Sequence, residues 1–267
     1  LSVCGTVNDL AVCGAVPQYI SAGFILEEGF SIDDLEQIVI SMAHEAQNAG
    51  VSIVTGDTKV VHKGQADKLF INTSGVGYIP DYAESFASGQ KIVEGDLVII
   101  NGSLGDHAIA VLSAREELSF QSRVKSDCAS LNHLIHSVLE KKPDVKFMRD
   151  LTRGGLATCL NEIANTQAID IEIQETRIPL HPAVEGICET LGFDPLYLAN
   201  EGKVAIVVSA RDAGKVIDIL KQNELGKNSL IIGQVTGVKG GKVIAESAIG
   251  GKRIIQMRAG EQLPRIC

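Results

Sequence analysis

The stretch Val145-Lys-Phe-Met-Arg149-Asp150-Leu151-Thr152-Arg153-Gly154-Gly155-Leu-Ala-Thr-Cys-Leu-Asn-Glu-Ile-Ala-Asn165 decides how this chain is read. Val145 to Arg149 reads as a strand, and a helix leaves the glycine pair and runs to about Asn165. Two consecutive glycines at a helix start let backbone N–H groups approach an anion closely. Arg153 adds a planar donor fork suited to phosphate. A turn with a capped helix accounts for the same residues without a ligand. The loop is no Walker A sequence, because GxxxxGK[ST] is absent, and GxGxxG is absent too.

Outward from this unit the chain alternates strands and helices. Towards the N-terminus, Asn8 to Val16 reads as a short helix with Asn8 as N-cap and Pro17 ending it. Ser21 to Leu26 reads as a strand. Ser31 caps a helix whose apolar face is Ile32, Leu35, Ile38, Val39, Met42, Ala43 and Ala46 at 3.6 spacing, with Asp34 in the capping-box position and Gly50 as the stop. Val51 to Thr55 is then a strand, Gly56-Asp57-Thr58-Lys59 a loop, and Leu69 to Ser74 a strand. Asp81 to Glu94 is polar and loop-like. Asp96 to Asn101 is a buried strand, followed by a helix through Leu118 and another over Asp127 to Glu140. Further on come a strand at Ile169 to Ile173, a helix at His181 to Leu191, a strand at Lys203 to Ser209 and a helix at Ala213 to Gln222. Strands near Leu230, Val243 and Ile254 complete the pattern. The expected fold class is α+β, in two domains that each place helices on one face of a sheet. The expected boundaries are 1–93, 94–259 and a mobile tail over 260–267.

With 267 residues, 45% hydrophobic and 21% charged, the chain is long enough for two domains and a large core. A net charge of −9 with no basic stripe argues against nucleic acid and against a membrane surface as partners. No apolar run reaches the roughly 20 residues of a spanning helix. The six cysteines form no CxxC pair. Scattered thiols of this kind fit a reducing, cytoplasmic setting. Cys13, Cys159 and Cys188 read as core residues.

Three aspartates, Asp9, Asp57 and Asp150, sit at element ends beside small residues. Carboxylates there suit Mg²⁺, a hard cation that shares its oxygen ligands with nucleotide phosphates. Helix capping for Asp9 and an Asx-turn for Asp57 are the plainer alternatives. Glu201, in Asn200-Glu201-Gly202-Lys203, follows an apolar stretch. Partial burial there would raise its pKa and suit it to general-base work, and a solvated turn explains it as well. Lys59 stands two residues after Asp57, where it either orients a substrate or is a surface lysine. His107 reads as a local hydrogen-bonding residue. The final residue, Cys267, places a soft nucleophile at the end of an irregular tail, where it is either a stray thiol or a carrier of a covalently bound group. From Gly260 the tail has a reach of roughly 25 Å.

Several segments together resemble the hydrogenase maturation HypE family: Gly5-Thr6-Val7-Asn8-Asp9, Thr55-Gly56-Asp57-Thr58-Lys59-Val60-Val61, Gly105-Asp106-His107, Arg149 to Gly155, Ala199 to Lys203, and the ending Pro264-Arg265-Ile266-Cys267. The resemblance runs from Leu1 to Cys267. The aspartate and glycine segments are similar also to aminoimidazole ribonucleotide synthetase, selenophosphate synthetase and thiamine-monophosphate kinase. The resemblance implies two α/β-sandwich domains of the aminoimidazole ribonucleotide synthetase type and a homodimer formed through the N-terminal domain. It implies ATP and Mg as cofactors, held by Asn8, Asp9, Gly56, Asp57, Thr58, Asp150, Thr152, Arg153, Gly154 and Gly155, with Asp9, Asp57 and Asp150 on the metal. HypF is the implied donor of a carbamoyl group to Cys267, and the HypC–HypD complex the implied acceptor of cyanide. ATP-dependent dehydration turns the S-carbamoyl group into a thiocyanate, with Glu201 as base and Lys59 relaying charge. Members of this family carry a further N-terminal glycine-rich stretch, so this chain reads as N-terminally truncated. Two other readings are a selenophosphate synthetase-like ATP-dependent kinase or synthetase and a non-enzymatic thiol carrier.

Overall fold

The computed structural model describes residues 1–115, 124–238 and 240–257. Helix α1 (Ser2–Val12) leads into strand β1 (Val16–Glu27), helix α2 (Ile32–Ala49), and strands β2 (Ser52–Val61) and β3 (Leu69–Tyr78). These strands form a three-stranded sheet in the order β2-β1-β3, parallel between β1 and β2 and antiparallel between β1 and β3. One face is covered. Ile20 and Ala22 of β1 pack on Val3 and Val7 of α1 and on Met42 and Ala46 of α2. The start of α2 is as expected, with Ser31 accepting from the Asp34 N–H at 3.2 Å. At its end Gly50 takes φ +70°, which suits glycine at the C-cap.

Beyond a short helix α3 (Glu84–Ala87), the chain lays down β4 (Leu97–Ile100), α4 (Asp106–Ala114), α5 (Asn132–Leu139), β5 (Val145–Asp150), α6 (Gly155–Gln167) and β6 (Ile169–Gln174). Then follow α7 (Pro182–Leu191), β7 (Val204–Val208), α8 (Ala213–Leu220), β8 (Leu230–Val238), β9 (Val243–Glu246) and β10 (Lys252–Ile255). The strands make one mixed seven-stranded sheet in the order β10-β9-β6-β8-β4-β7-β5. Strands β4 and β7 are apolar along their whole length. In β4, Val98 and Ile100 face α6, while Ile99 faces α5 and α8. β7 divides likewise, with Ala205 and Val207 on one side and Val204, Ile206 and Val208 on the other. Continuous apolar runs of this kind mark strands buried on both faces.

The structure corrects several expectations. Helices cover both faces of the larger sheet, not one. α1 starts well before Asn8, so Asn8 is an interior helix residue and not a cap. The helix is early because Val3, Val7 and Ala11 repeat at four-residue spacing and join it to both cores. Pro17 lies inside β1 and does not merely end a helix. Gly56 to Lys59 continue β2 and form no loop. Residues 124–131 are not helical, and α5 starts at Asn132. Cys159 and Cys188 are buried as expected, but Cys13 is exposed. The tail with Cys267 lies outside the described residues, as does the end of the helix expected through Leu118.

Candidate active site

A cavity of about 430 Å³ opens where α1 meets the end of β5 and the start of α6. Asp9, Asp150, Thr152, Arg153 and Gly155 line it, together with Arg149 and Glu162. The turn between β5 and α6 forces glycine at two positions. Gly154 has φ +73° and Gly155 φ +58°, both in the left-handed region. At Gly155 a Cβ would stand 2.5 Å from the Leu198 carbonyl oxygen, so no other residue fits. The pair thereby aims the start of α6 into the cavity, which favours an anion.

Asn200 holds this turn in place. Fully buried, it accepts from the Gly105 N–H at 2.8 Å and donates to the carbonyls of Leu198 (2.9 Å) and Leu151 (3.2 Å). Asn8 does the same from α1. Its amide donates to the Ala129 carbonyl at 3.0 Å and the Glu201 carbonyl at 3.4 Å, and its oxygen accepts from the Leu131 N–H at 2.7 Å. Asn8 therefore acts as a brace of the site wall and does not line the cavity.

Glu201 is 5% exposed. Burial, then the negative charges of Asp127 and Asp150, push its carboxyl up to about 7. Asp127 was not foreseen. It accepts from the Glu201 N–H at 3.1 Å and pairs with Lys203 Nζ at 2.8 Å. It was missed because its residue pattern is helical while its backbone is an irregular strap; only its nearness in space to a buried Glu marks it. Asp9 is also raised, through burial and then Asp150, with Arg149 and Arg153 opposing. Arg149 is partly occupied by Glu162 at 2.7 Å. Cys159 shares the cavity wall, but burial pushes its thiol up to about 12, which leaves it an inert core residue.

The structure brings Asp9, Asp150, Thr152, Arg153 and Gly155 together and sets Glu201 within electrostatic reach of Asp150. It does not bring Gly56, Asp57, Thr58 and Lys59 to the cavity wall. They lie exposed on β2, an edge strand, where the Asp57 carboxylate accepts from the Thr58 N–H at 2.9 Å. Among the described residues no group of three or more His, Cys, Asp or Glu side chains is placed to hold a metal ion. Two carboxylates, Asp9 and Asp150, remain as paired oxygen donors.

Residues 1–79 match the AIR synthase related protein family, N-terminal domain, and residues 93–246 its C-terminal domain. The carbamoyl dehydratase HypE of Rhodobacter capsulatus is 49% identical over 267 residues, covering 100% of this chain and 78% of that protein. A crystal structure of a hydrogenase maturation protein HypE in complex with ATP superposes with a TM-score of 0.91 at 44% identity, over 100% of this chain and 80% of that one. A HypE–HypF complex gives a TM-score of 0.89 at 44% identity, covering 96% of this chain and 83% of the other.

Proposed function

The chain belongs to the HypE family of carbamoyl dehydratases, within the AIR synthase related proteins, and we propose that it is an ATP-dependent dehydratase acting on an S-carbamoyl group carried by its own Cys267. In this reading HypF supplies the carbamoyl group, and the cyano group passes to iron in the HypC–HypD complex during maturation of NiFe hydrogenase in the cytoplasm. Residues 1–93 form the dimer and bring Asp9 to the nucleotide, 94–259 make the second domain and bring the phosphate-holding turn, and 260–267 deliver the thiol.

The observation that carries the reading is the buried Glu201, within reach of the charge of Asp150 on the cavity wall, together with a helix start whose N–H groups suit an anion. A carbamoyl oxygen leaves poorly, and phosphorylation converts it to a leaving group. The thiocarbamate and ATP become thiocyanate, ADP and phosphate: the oxygen departs with the phosphate, and nitrogen loses both protons as C≡N forms. Arg153, the Gly154–Gly155 turn and the N–H groups of α6 hold and orient phosphate. Glu201, with a carboxyl near neutrality, takes a proton from nitrogen. Asp127 fixes the Glu201 backbone and keeps Lys203 paired. Asp9 and Asp150 fit Mg²⁺, because two hard carboxylates repel each other there and a divalent cation removes that repulsion. When bound, Mg²⁺ neutralises phosphate charge. Asp57, Thr58 and Lys59 stay available on β2 for a site covered by a bound nucleotide or a second copy.

The chain carrying carbamoylated Cys267 is expected to release ADP from Mg-ATP, and the unmodified chain to release far less. Equal, negligible release from both supports a thiol carrier instead.

The homodimer has physical support in the uncovered face of the small sheet. Tyr19 pairs across with Val76 and Ile25 with Phe70, and all four are exposed. Apolar side chains on a sheet face with two open edges call for a cover. Phe70→Glu is expected to shift the sedimenting species from dimer to monomer. A dimer unchanged in Phe70→Glu and Val76→Glu alike places the interface elsewhere.

A further inference from the structure

Cys4 and Cys128 form a second chemical feature that the dehydratase reading leaves unused. Cys4 lies in the first turn of α1 and is wholly buried. Cys128 lies 124 positions later, half-buried in the strap over 124–131. Independent contacts bring the two segments together. The Ser130 hydroxyl reaches the Cys4 sulfur at 3.6 Å, and Asn8, one turn along α1, donates to the Ala129 carbonyl at 3.0 Å. These contacts bring Cys128, two residues before Ser130, close enough to Cys4 for each thiol to shift the other's ionisation, while the Cys4 sulfur also lies 3.7 Å from Glu45 Oε2. Both are unpaired by disulfide.

The pair is chemically unequal. Hydrogen bonding by Cys128 lowers the Cys4 thiol to about 7, against the opposing effect of burial, and raises Cys128. A more acidic thiol beside a less acidic one is the arrangement in which the first sulfur is oxidised and the second resolves it. Cys159 and Cys188 make a contrast: burial raises them to about 12 and about 11.

We propose that Cys4 and Cys128 are a redox-active dithiol, closed to a disulfide by two-electron oxidants of the peroxide class and reopened by thiols. With hydrogen peroxide the Cys4 thiolate attacks oxygen, giving a sulfenic acid and hydroxide. The Cys128 sulfur then attacks the Cys4 sulfur, its proton leaves with the hydroxyl as water, and the disulfide forms. Two thiols and one peroxide thus yield one disulfide and two waters. The link ties α1 to the strap that carries Asp127.

The test is peptide mapping of the full chain under non-reducing conditions, after stoichiometric hydrogen peroxide and alkylation of remaining thiols. It needs no turnover, so its outcome is separate from that of the dehydratase reading. The expected product is one crosslinked peptide joining Cys4 to Cys128, two hydrogens lighter than the sum and reopened by dithiothreitol. In Cys128→Ser, Cys4 is expected as a sulfenic acid trapped by dimedone. Recovery of both cysteines as alkylated thiols, or of Cys4 joined to a different cysteine, overturns the proposal.

Discussion

Changing Cys267 to Ser is expected to abolish turnover completely: no carbamoyl adduct on the tail, and ADP release no greater than without carbamoyl donor. A serine hydroxyl stays protonated near neutral pH and is a far weaker nucleophile than a thiolate. A carbamate on oxygen also has no route to a thiocyanate. The body of the fold is untouched by this change, so its unfolding transition should not move. Mass spectrometry of the C-terminal peptide with calorimetry of the same sample separates these effects. A Cys267→Ser variant that still consumed ATP in proportion to a carbamoyl donor would mean that the group rides elsewhere.

Glu201→Gln is the second large effect. Loss of a positioned base costs typically about 10²- to 10⁴-fold in rate, and the variant should keep nucleotide binding. Two signatures separate this from simple damage. In the parent, the carboxyl is held up to about 7, so the rate should rise with pH through that region and level above it. The Gln variant should lose that limb. Stability moves the other way. The folded state disfavours the ionised carboxylate, so Glu201 contributes nothing unfavourable below its ordinary carboxylate range and its full penalty above about 7. The Gln variant should therefore be more stable than the parent at pH 8, by roughly 1–3 kcal/mol, with the gap closing towards pH 5. A variant that is inactive and less stable at pH 8 would make Glu201 a structural residue.

Much of the architecture was legible from the chain because it is written locally. The Ser31 cap, the Gly50 stop and the strand–turn–helix at Arg149 to Gly155 each need only neighbouring residues. The errors arise where distant contacts decide. Asn8 to Val16 looked like a helix because Pro17 breaks one, yet the Val3, Val7, Ala11 spacing had already begun it. Gly56 and Asp57 looked like a turn, but pairing with Ala22 and Gly23 of β1 keeps the strand extended. Ile99 shows why helices on one side do not suffice: its neighbours Val98 and Ile100 are equally apolar, so β4 has no solvent face.

The site was half legible. Asp150, Thr152, Arg153 and the glycine pair share one loop, and all but Gly154 line one cavity. Asp9 joins them only through the packing of α1. The apolar flank of Glu201 marks it in the sequence, and its burial near the charges of Asp127 and Asp150 gives that mark a physical cause. Asp127 carries no such mark, since nothing near it in sequence reveals that residues 201 and 203 lie against it.

Whether the tail thiol is the substrate handle is decided by the intact mass of the C-terminal peptide after incubation of the chain with HypF, carbamoyl phosphate and Mg-ATP. The expected product is a carbamoyl adduct on Cys267 that loses the mass of one water when ATP is present. An adduct that persists unchanged while ATP is consumed would contradict the dehydratase mechanism.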